Sequence, residues 1–270
     1  MTDLPAAALD LDAYFRRIGY TGPRQATPEV LDAVHLAHAT SIPFENLDIQ
    51  LGRPIGIDLA SIQAKLVKAR RGGYCFEQNT LLAAVLERLG FHVTPLAARV
   101  RLGAHRVLPR THMMLMVDVA GQAWLADVGF GTGGLLEPIR LRPGGVSRQF
   151  GWSFRLVEER GVWVLESLRE GAWQPLYVFT LEPHYALDFE MANHYVSTHP
   201  ASRFVQTLAV QRQTPEACYL LRNRELTVIK DGNSDCRQIV DAEALLAVLA
   251  ETFGLEFPPG TRFRCLSDET

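Results

Sequence analysis

At Phe91 the apolar residues change period, and this change constrains the fold more than any other feature of the chain. Before it they recur every three or four positions, the helical period. After it, short runs rich in Val, Leu, Phe and Trp are broken by Gly, Pro and charged pairs, the texture of successive strands. Leu11, Tyr14, Phe15 and Ile18 share one helical face, and Gly19 supplies a stop. Thr27-Pro28-Glu29 offers a cap, a proline at the first helical position and an acidic first turn ahead of a helix over 30–39. Further helices are expected over 58–68 and 75–89, the latter stopped by Gly90. Strands are expected over 93–102, 112–119, 123–128, 152–158, 162–168 and 173–179, with Ala120-Gly121 and Arg160-Gly161 as tight turns. A helical stretch over 185–195, strands over 204–212 and 225–230, and a helix over 242–253 capped by Asp241 precede a Pro-Pro-Gly turn at 258–260. Helices first and strands afterwards mean α+β, an antiparallel sheet or small barrel following a helical region, in three sub-domains packed into one body.

Composition excludes several classes of function. Lys+Arg 27 against Asp+Glu 30 gives a net charge of -3, so no general affinity for nucleic acid or anionic lipid is expected. The first ten residues lack the basic start and apolar stretch of a signal peptide, and no segment reaches the roughly 18 apolar residues of a membrane helix. A cytoplasmic location is expected, with thiols kept reduced. Cys75, Cys218, Cys236 and Cys265 are too few for a disulfide scaffold and form no C-x-x-C pair, so no metal site is expected. In such a compartment a cysteine becomes a candidate nucleophile. His35 and His38, three apart on one helix, are expected to be an exposed or core-edge pair, since no third ligand accompanies them.

The most unusual local sequence is Arg70-Arg71-Gly72-Gly73-Tyr74-Cys75-Phe76-Glu77-Gln78-Asn79. Two glycines permit a sharp turn, and the apolar run 81–86 makes a strong helix, so Cys75 is expected at a helix N-terminus. The positive end of the peptide dipoles there favours a thiolate, the form that attacks acyl groups. Such a nucleophile needs an imidazole and a group to orient it. His112 opens a strand, sharing a face with Met114 and Met116 by alternation. Asp127 ends the next strand and is positioned to meet His112 across the ladder, with Arg99 and Arg101 as rival partners. Gly129-Phe130-Gly131-Thr132-Gly133-Gly134 fits G-x-G-x-x-G but opens no helix, so it is read as a flexible loop beside Asp127 and not as a dinucleotide site.

These blocks resemble the arylamine N-acetyltransferases across nearly the whole chain. The matching residues are 11–20, Ile42-Pro43-Phe44-Glu45-Asn46-Leu47, Arg71-Gly72-Gly73-Tyr74-Cys75-Phe76-Glu77-Gln78-Asn79, Thr111-His112-Met113, Asp127-Val128-Gly129-Phe130-Gly131, and a run from Asp188 to Phe204; the match is diffuse after about Val210. The resemblance implies a helical bundle over 1–90 carrying the nucleophile, a β-barrel-like domain over 91–200 carrying His and Asp with a connecting helical stretch, and an α/β lid over 201–270. It implies a Cys75–His112–Asp127 triad, arranged as in cysteine proteases. Glu45 with Arg71 is the implied ion pair supporting the site wall, and Thr111, Phe130, Gly131 and Phe204 are the implied substrate contacts.

The activity so implied is ping-pong acetyl transfer from acetyl-CoA, as co-substrate, to an arylamine, arylhydrazine or hydroxylamine through an acetyl-cysteine. The same triad also serves a cysteine hydrolase or an amide synthase that closes a macrolactam. A binding protein with a relic site is the non-enzymatic alternative. Oligomeric state is not legible.

Overall fold

The structure, a computed structural model, describes residues 9–131 and 133–266; Thr132 of the Gly-rich segment and residues 1–8, read above for a leader, lie outside them. Helix α1 (Leu11–Ile18) is capped by Asp10, whose carboxylate accepts from the Ala13 amide at 2.9 Å, and is closed by Gly19 in the left-handed region. Helix α2 (Pro28–Ser41) begins on the expected Thr27 cap. A two-residue strand β1 (Phe44–Glu45), helix α3 (Leu47–Gln50) and helix α4 (Leu59–Ile62) follow, and α4 runs on as a π-helical turn over Gln63–Lys68. Helix α5 (Cys75–Arg88) is buried on every side from Cys75 to Leu86. A helix so enclosed is a central element, and each of its polar side chains must find a partner inside.

Eight antiparallel strands come next: β2 (His92–Val100), β3 (His112–Val119), β4 (Gln122–Ala126), β5 (Ile139–Arg140), β6 (Val146–Gln149), β7 (Trp152–Glu159), β8 (Val162–Arg169) and β9 (Ala172–Phe179). Their order is β5-β4-β3-β2-β9-β8-β7-β6. The sheet curls around a core of its own, with Leu96, Met114, Phe154, Leu156, Leu165 and Tyr177 inside. Its two edges are drawn together by Gln149, which accepts from the Leu136 amide at 2.9 Å and the Glu137 amide at 3.1 Å. The turns at Ala120-Gly121 and Arg160-Gly161 have positive φ at both central residues, the hairpin geometry expected of them. Strand β3 serves two cores by alternation: Met113, Leu115, Val117 and Val119 pack toward α5, whereas Met114 faces the inside of the curl.

Helix α6 (Ala186–Thr198) and the short helix α7 (Arg203–Gln206) lead to a second sheet of β10 (Ala209–Gln213), β11 (Ala217–Arg222), β12 (Glu225–Lys230) and β13 (Asn233–Gln238). Strand β1 completes its edge by pairing with β10, so residues of the first third contribute to the last sheet. Helix α8 (Ala242–Phe253) covers one face through Leu245, Val248, Leu249 and Phe253. Among the described residues no helix is long and apolar enough to cross a membrane.

Three sequence expectations need correction. The strand expected over 204–212 starts only at Ala209, because the Ser202 hydroxyl accepts from the Phe204 amide at 3.3 Å and starts α7 instead. Strands β11 and β13 were not expected; β11 buries Ala217, Cys218 and Leu221 without a clean alternation, and Asn233–Gln238 is exposed throughout and carries none to read. His35 and His38 are not at the edge of the core: both are 0% exposed. His38 Nε2 bonds Gln78 Oε1 at 2.7 Å and its Nδ1 bonds the Tyr14 hydroxyl at 2.8 Å, so the ring is satisfied inside.

Candidate active site

Cys75 is the first residue of α5. The segment before it is held by close packing. A Cβ on Gly72 would stand 2.2 Å from the Pro43 carbonyl oxygen, and one on Gly73 would stand 2.7 Å from Glu77 Oε2. These glycines therefore let the chain press against residues 43–45, where Gly73 bridges to Phe44 and its carbonyl accepts from the Glu45 amide at 3.0 Å. The left-handed turn itself falls on Arg70, with φ 53, not on the glycines as expected. Glu77 Oε2 then accepts from the Tyr74 amide at 3.1 Å and starts the helix.

The three candidate residues come together, all buried. Extending the β3–β4 register, in which Leu115 faces Ala126, puts Asp127 opposite Met114 and diagonal to His112 on the same face. His112 Nε2 lies 2.7 Å from Asp127 Oδ2. That contact occupies one ring nitrogen and leaves Nδ1 for the Cys75 sulfur, whose charge helps to raise the ring. Cys75 Sγ also lies 3.7 Å from the Thr111 carbonyl. The rival partners are engaged elsewhere: Arg99 donates to the Leu108 carbonyl and Arg101 to Glu159.

Electrostatics sharpen the group. Burial pushes the His112 imidazolium down, but the charge of Asp127, the hydrogen bond to it and the Cys75 sulfur outweigh burial and raise the ring to about 10. Burial likewise pushes Asp127 up, and His112, Asn79 and the Gly129 amide together hold it below the usual carboxylate range. Asn79 Nδ2 donates to Asp127 Oδ1 at 3.0 Å and to the Met113 carbonyl at 2.8 Å, while its oxygen accepts from the Val128 amide at 3.1 Å. The Gly129 amide reaches Asp127 Oδ1 at 2.9 Å. Tyr177 lies in the field of the same carboxylate, its ring 4.8 Å from that of His112, without a hydrogen bond of good geometry.

The remaining predicted residues divide. Phe130 packs edge-on to His112 at 5.1 Å and, with Gly131, lines a cavity of about 30 Å³ beside Asp127. Thr111 lines a larger cleft of about 270 Å³ with Ala97, Arg110, His184, Phe189 and Tyr195. Phe204 stacks against Phe44 at 5.8 Å and Tyr74 at 6.0 Å, so it meets the neighbour of Cys75 and not the triad itself. The Gly-rich segment is packed, not open: Gly129 lies on α5, and Gly131, with φ 67, faces the Phe44 ring.

Glu45 and Arg71 do pair, at 3.0 Å and 2.6 Å, within a wider buried network that sequence reasoning missed. Lys65 Nζ reaches Glu77 at 2.8 Å and Asp48 at 3.0 Å, and Arg71 reaches Asp48 at 3.3 Å. Burial raises Glu77 to about 7, although Lys65 opposes it. Asn79 was also missed; its signal was a polar residue one helical turn after Cys75, just ahead of the apolar run 81–86. Among the described residues no group of three or more His, Cys, Asp or Glu is placed to hold a metal ion.

Comparison with known proteins is consistent across sequence and structure. The N-acetyltransferase family model matches residues 27–261. The arylamine N-acetyltransferase of Mycolicibacterium smegmatis is 42% identical over 255 residues, covering 92% of this chain and 93% of that protein. That of Escherichia coli is 41% identical over 248 residues, covering 91% and 88%. The solved structure of the Nocardia farcinica arylamine N-acetyltransferase superimposes with a TM-score of 0.90 at 42% identity, covering 94% of this chain and 92% of that one. The Mycobacterium marinum arylamine N-acetyltransferase in complex with CoA gives 0.87 at 35% identity, covering 91% and 92%.

Proposed function

The chain belongs to the arylamine N-acetyltransferase family, and from that premise we propose that Cys75, His112 and Asp127 are the catalytic triad by which it moves an acetyl group from acetyl-CoA to an amine nitrogen. The observation that carries the assignment is the 2.7 Å contact of His112 Nε2 with Asp127, which leaves the other ring nitrogen free for the sulfur at the start of α5. In the first half-reaction the Cys75 sulfur attacks the thioester carbonyl, the bond from that carbon to the CoA sulfur breaks, and CoA leaves as the thiol with the proton held by His112. In the second, the acceptor nitrogen attacks the acetyl-cysteine carbonyl, His112 takes the nitrogen's proton, and Cys75 is released. Asp127 orients the imidazole and stabilises its charged form. The Cys75 amide, in the first turn of α5 where amides lack helical partners, is suited to bind the oxyanion.

The arrangement is that of cysteine proteases, with the nucleophile on a helix, the base on a strand and the acid just past the end of the next strand. The division into 1–90, 91–200 and 201–270 follows the roles: nucleophile, base with acid, and covering sheet. Phe130 and Gly131 are assigned to substrate through the cavity they line with Asp127, Thr111 through the larger cleft next to His112, and Phe204 through its packing on Tyr74. Glu45 and Arg71 act structurally. Free thiols and the absence of a membrane-spanning helix among the described residues favour the cytoplasm.

Incubation with acetyl-CoA and no amine, followed by mass analysis of the intact protein and its Cys75 peptide, tests the reading. One acetyl group on Cys75 with one equivalent of CoA released, both lost in Cys75→Ala, is the expected result. Release of CoA without an adduct and without acceptor would mean hydrolysis; no use of acetyl-CoA at all would overturn the assignment and leave the amide synthase.

A further inference from the structure

Asp127 has a partner that acts through its backbone. His35, on α2, is fully buried and stands 92 residues away in sequence. Its Nε2 accepts from the Asp127 amide at 3.0 Å, and its Nδ1 donates to the Leu136 carbonyl at 2.9 Å. The ring thus ties both ends of the segment that carries Asp127, Phe130 and Gly131 to the helical bundle. A backbone amide can only donate, so Nε2 must be bare and the proton must sit on Nδ1. A protonated ring would set N–H against N–H at Asp127, and burial pushes His35 down to about 4, so the neutral form persists across ordinary pH.

We propose that His35 is a positioning residue for the reaction: by accepting from the Asp127 amide it sets where the Asp127 carboxylate meets His112. The proposal rests on the reading of Asp127 as the acid that orients His112. Two conservative variants separate this role from simple filling of space. A Gln amide oxygen reaches the place of His Nε2, whereas an Asn amide reaches only that of Nδ1. His35→Gln therefore keeps an acceptor for Asp127 and loses the tie to Leu136, and His35→Asn does the reverse.

The decisive measurement is the titration of the His112 ring by NMR on ¹⁵N-histidine-labelled protein, alongside acetyl transfer. His35→Gln is expected to keep the His112 midpoint and to transfer within about threefold of the parent. His35→Asn is expected to lower the midpoint by about one pH unit, because the displaced carboxylate holds the imidazolium less well, and to slow transfer by about tenfold. If His35→Asn does not fold, His35→Leu, whose side chain carries no acceptor, takes its place. Equal His112 midpoints in the two variants, or a parent-like midpoint without an acceptor, would overturn the proposal. Asp127→Asn serves as the control: if it leaves the His112 midpoint in place, the triad reading itself fails, whatever His35 does.

Discussion

Gly129 lies so close to the start of α5 that a Cβ on it would stand 2.6 Å from the Cys75 Cα and 2.8 Å from Asn79 Nδ2. The strand end that carries Asp127 and the helix end that carries Cys75 thus touch through backbone, with no side chain between them. The spacing of nucleophile, base and acid depends on that contact.

Gly129→Ala must push the two elements apart, because backbone atoms cannot turn aside as a side-chain tip would. Acetyl transfer is expected to fall by about 100-fold, the scale of an ångström-level misplacement. A single-turnover assay of CoA release against Gly151→Ala, where nothing lies within 4 Å of an added Cβ and φ is not positive, checks it; equal losses would mean that contact is not what counts.

Asn79→Ala leaves Asp127 Oδ1, the Met113 carbonyl and the Val128 amide each short of a buried partner. Asp127 Oδ1 keeps the Gly129 amide, so the cost falls mainly on the other two; at about 1–3 kcal/mol per buried group left short, a loss of roughly 3 kcal/mol is expected. Urea denaturation measures it.

The His112–Asp127 pair gives a pH-dependent stability of defined sign. His112 is raised, so its contribution is complete below the ordinary histidine value of 6.5 and is lost as pH rises toward about 10. Asp127 is lowered, so its contribution is present above the ordinary 3.8 and is lost as pH falls through its depressed value. The Tm difference between the parent and His112→Gln should therefore be largest between pH 4 and 6.5 and shrink steadily above pH 7. A difference that grows toward alkaline pH would contradict the pairing.

Lys65 sits among Glu45, Asp48 and Glu77, with Arg71 as the cluster's other largely buried cation. Lys65→Met strands negative charge inside and should cost about 3–5 kcal/mol at pH 8. The cost should be smaller at pH 6, since Glu77, already raised to about 7, takes up a proton there. Denaturation of both proteins at the two pH values decides it.

The α+β class, the helix starting at Cys75, the hairpin turns and the two strands that carry His112 and Asp127 were all legible in the sequence, because each rests on local period, caps and turn residues. So was the Arg71-Gly72-Gly73-Tyr74-Cys75 block, though its glycines serve close contact, not a turn. What only the tertiary structure decided is who meets whom across the chain. His35, expected to be exposed or at the core edge, is buried because α2 lies beside the end of β4, and Lys65 and Asp48, which carry no local signal, meet in a largely buried network. Strand β13 was invisible because an exposed edge strand buries no face and so writes no alternation. Period and capping act between residues a few positions apart, whereas a buried hydrogen bond is chosen by whichever donor and acceptor the packing isolates from water, at any distance along the chain.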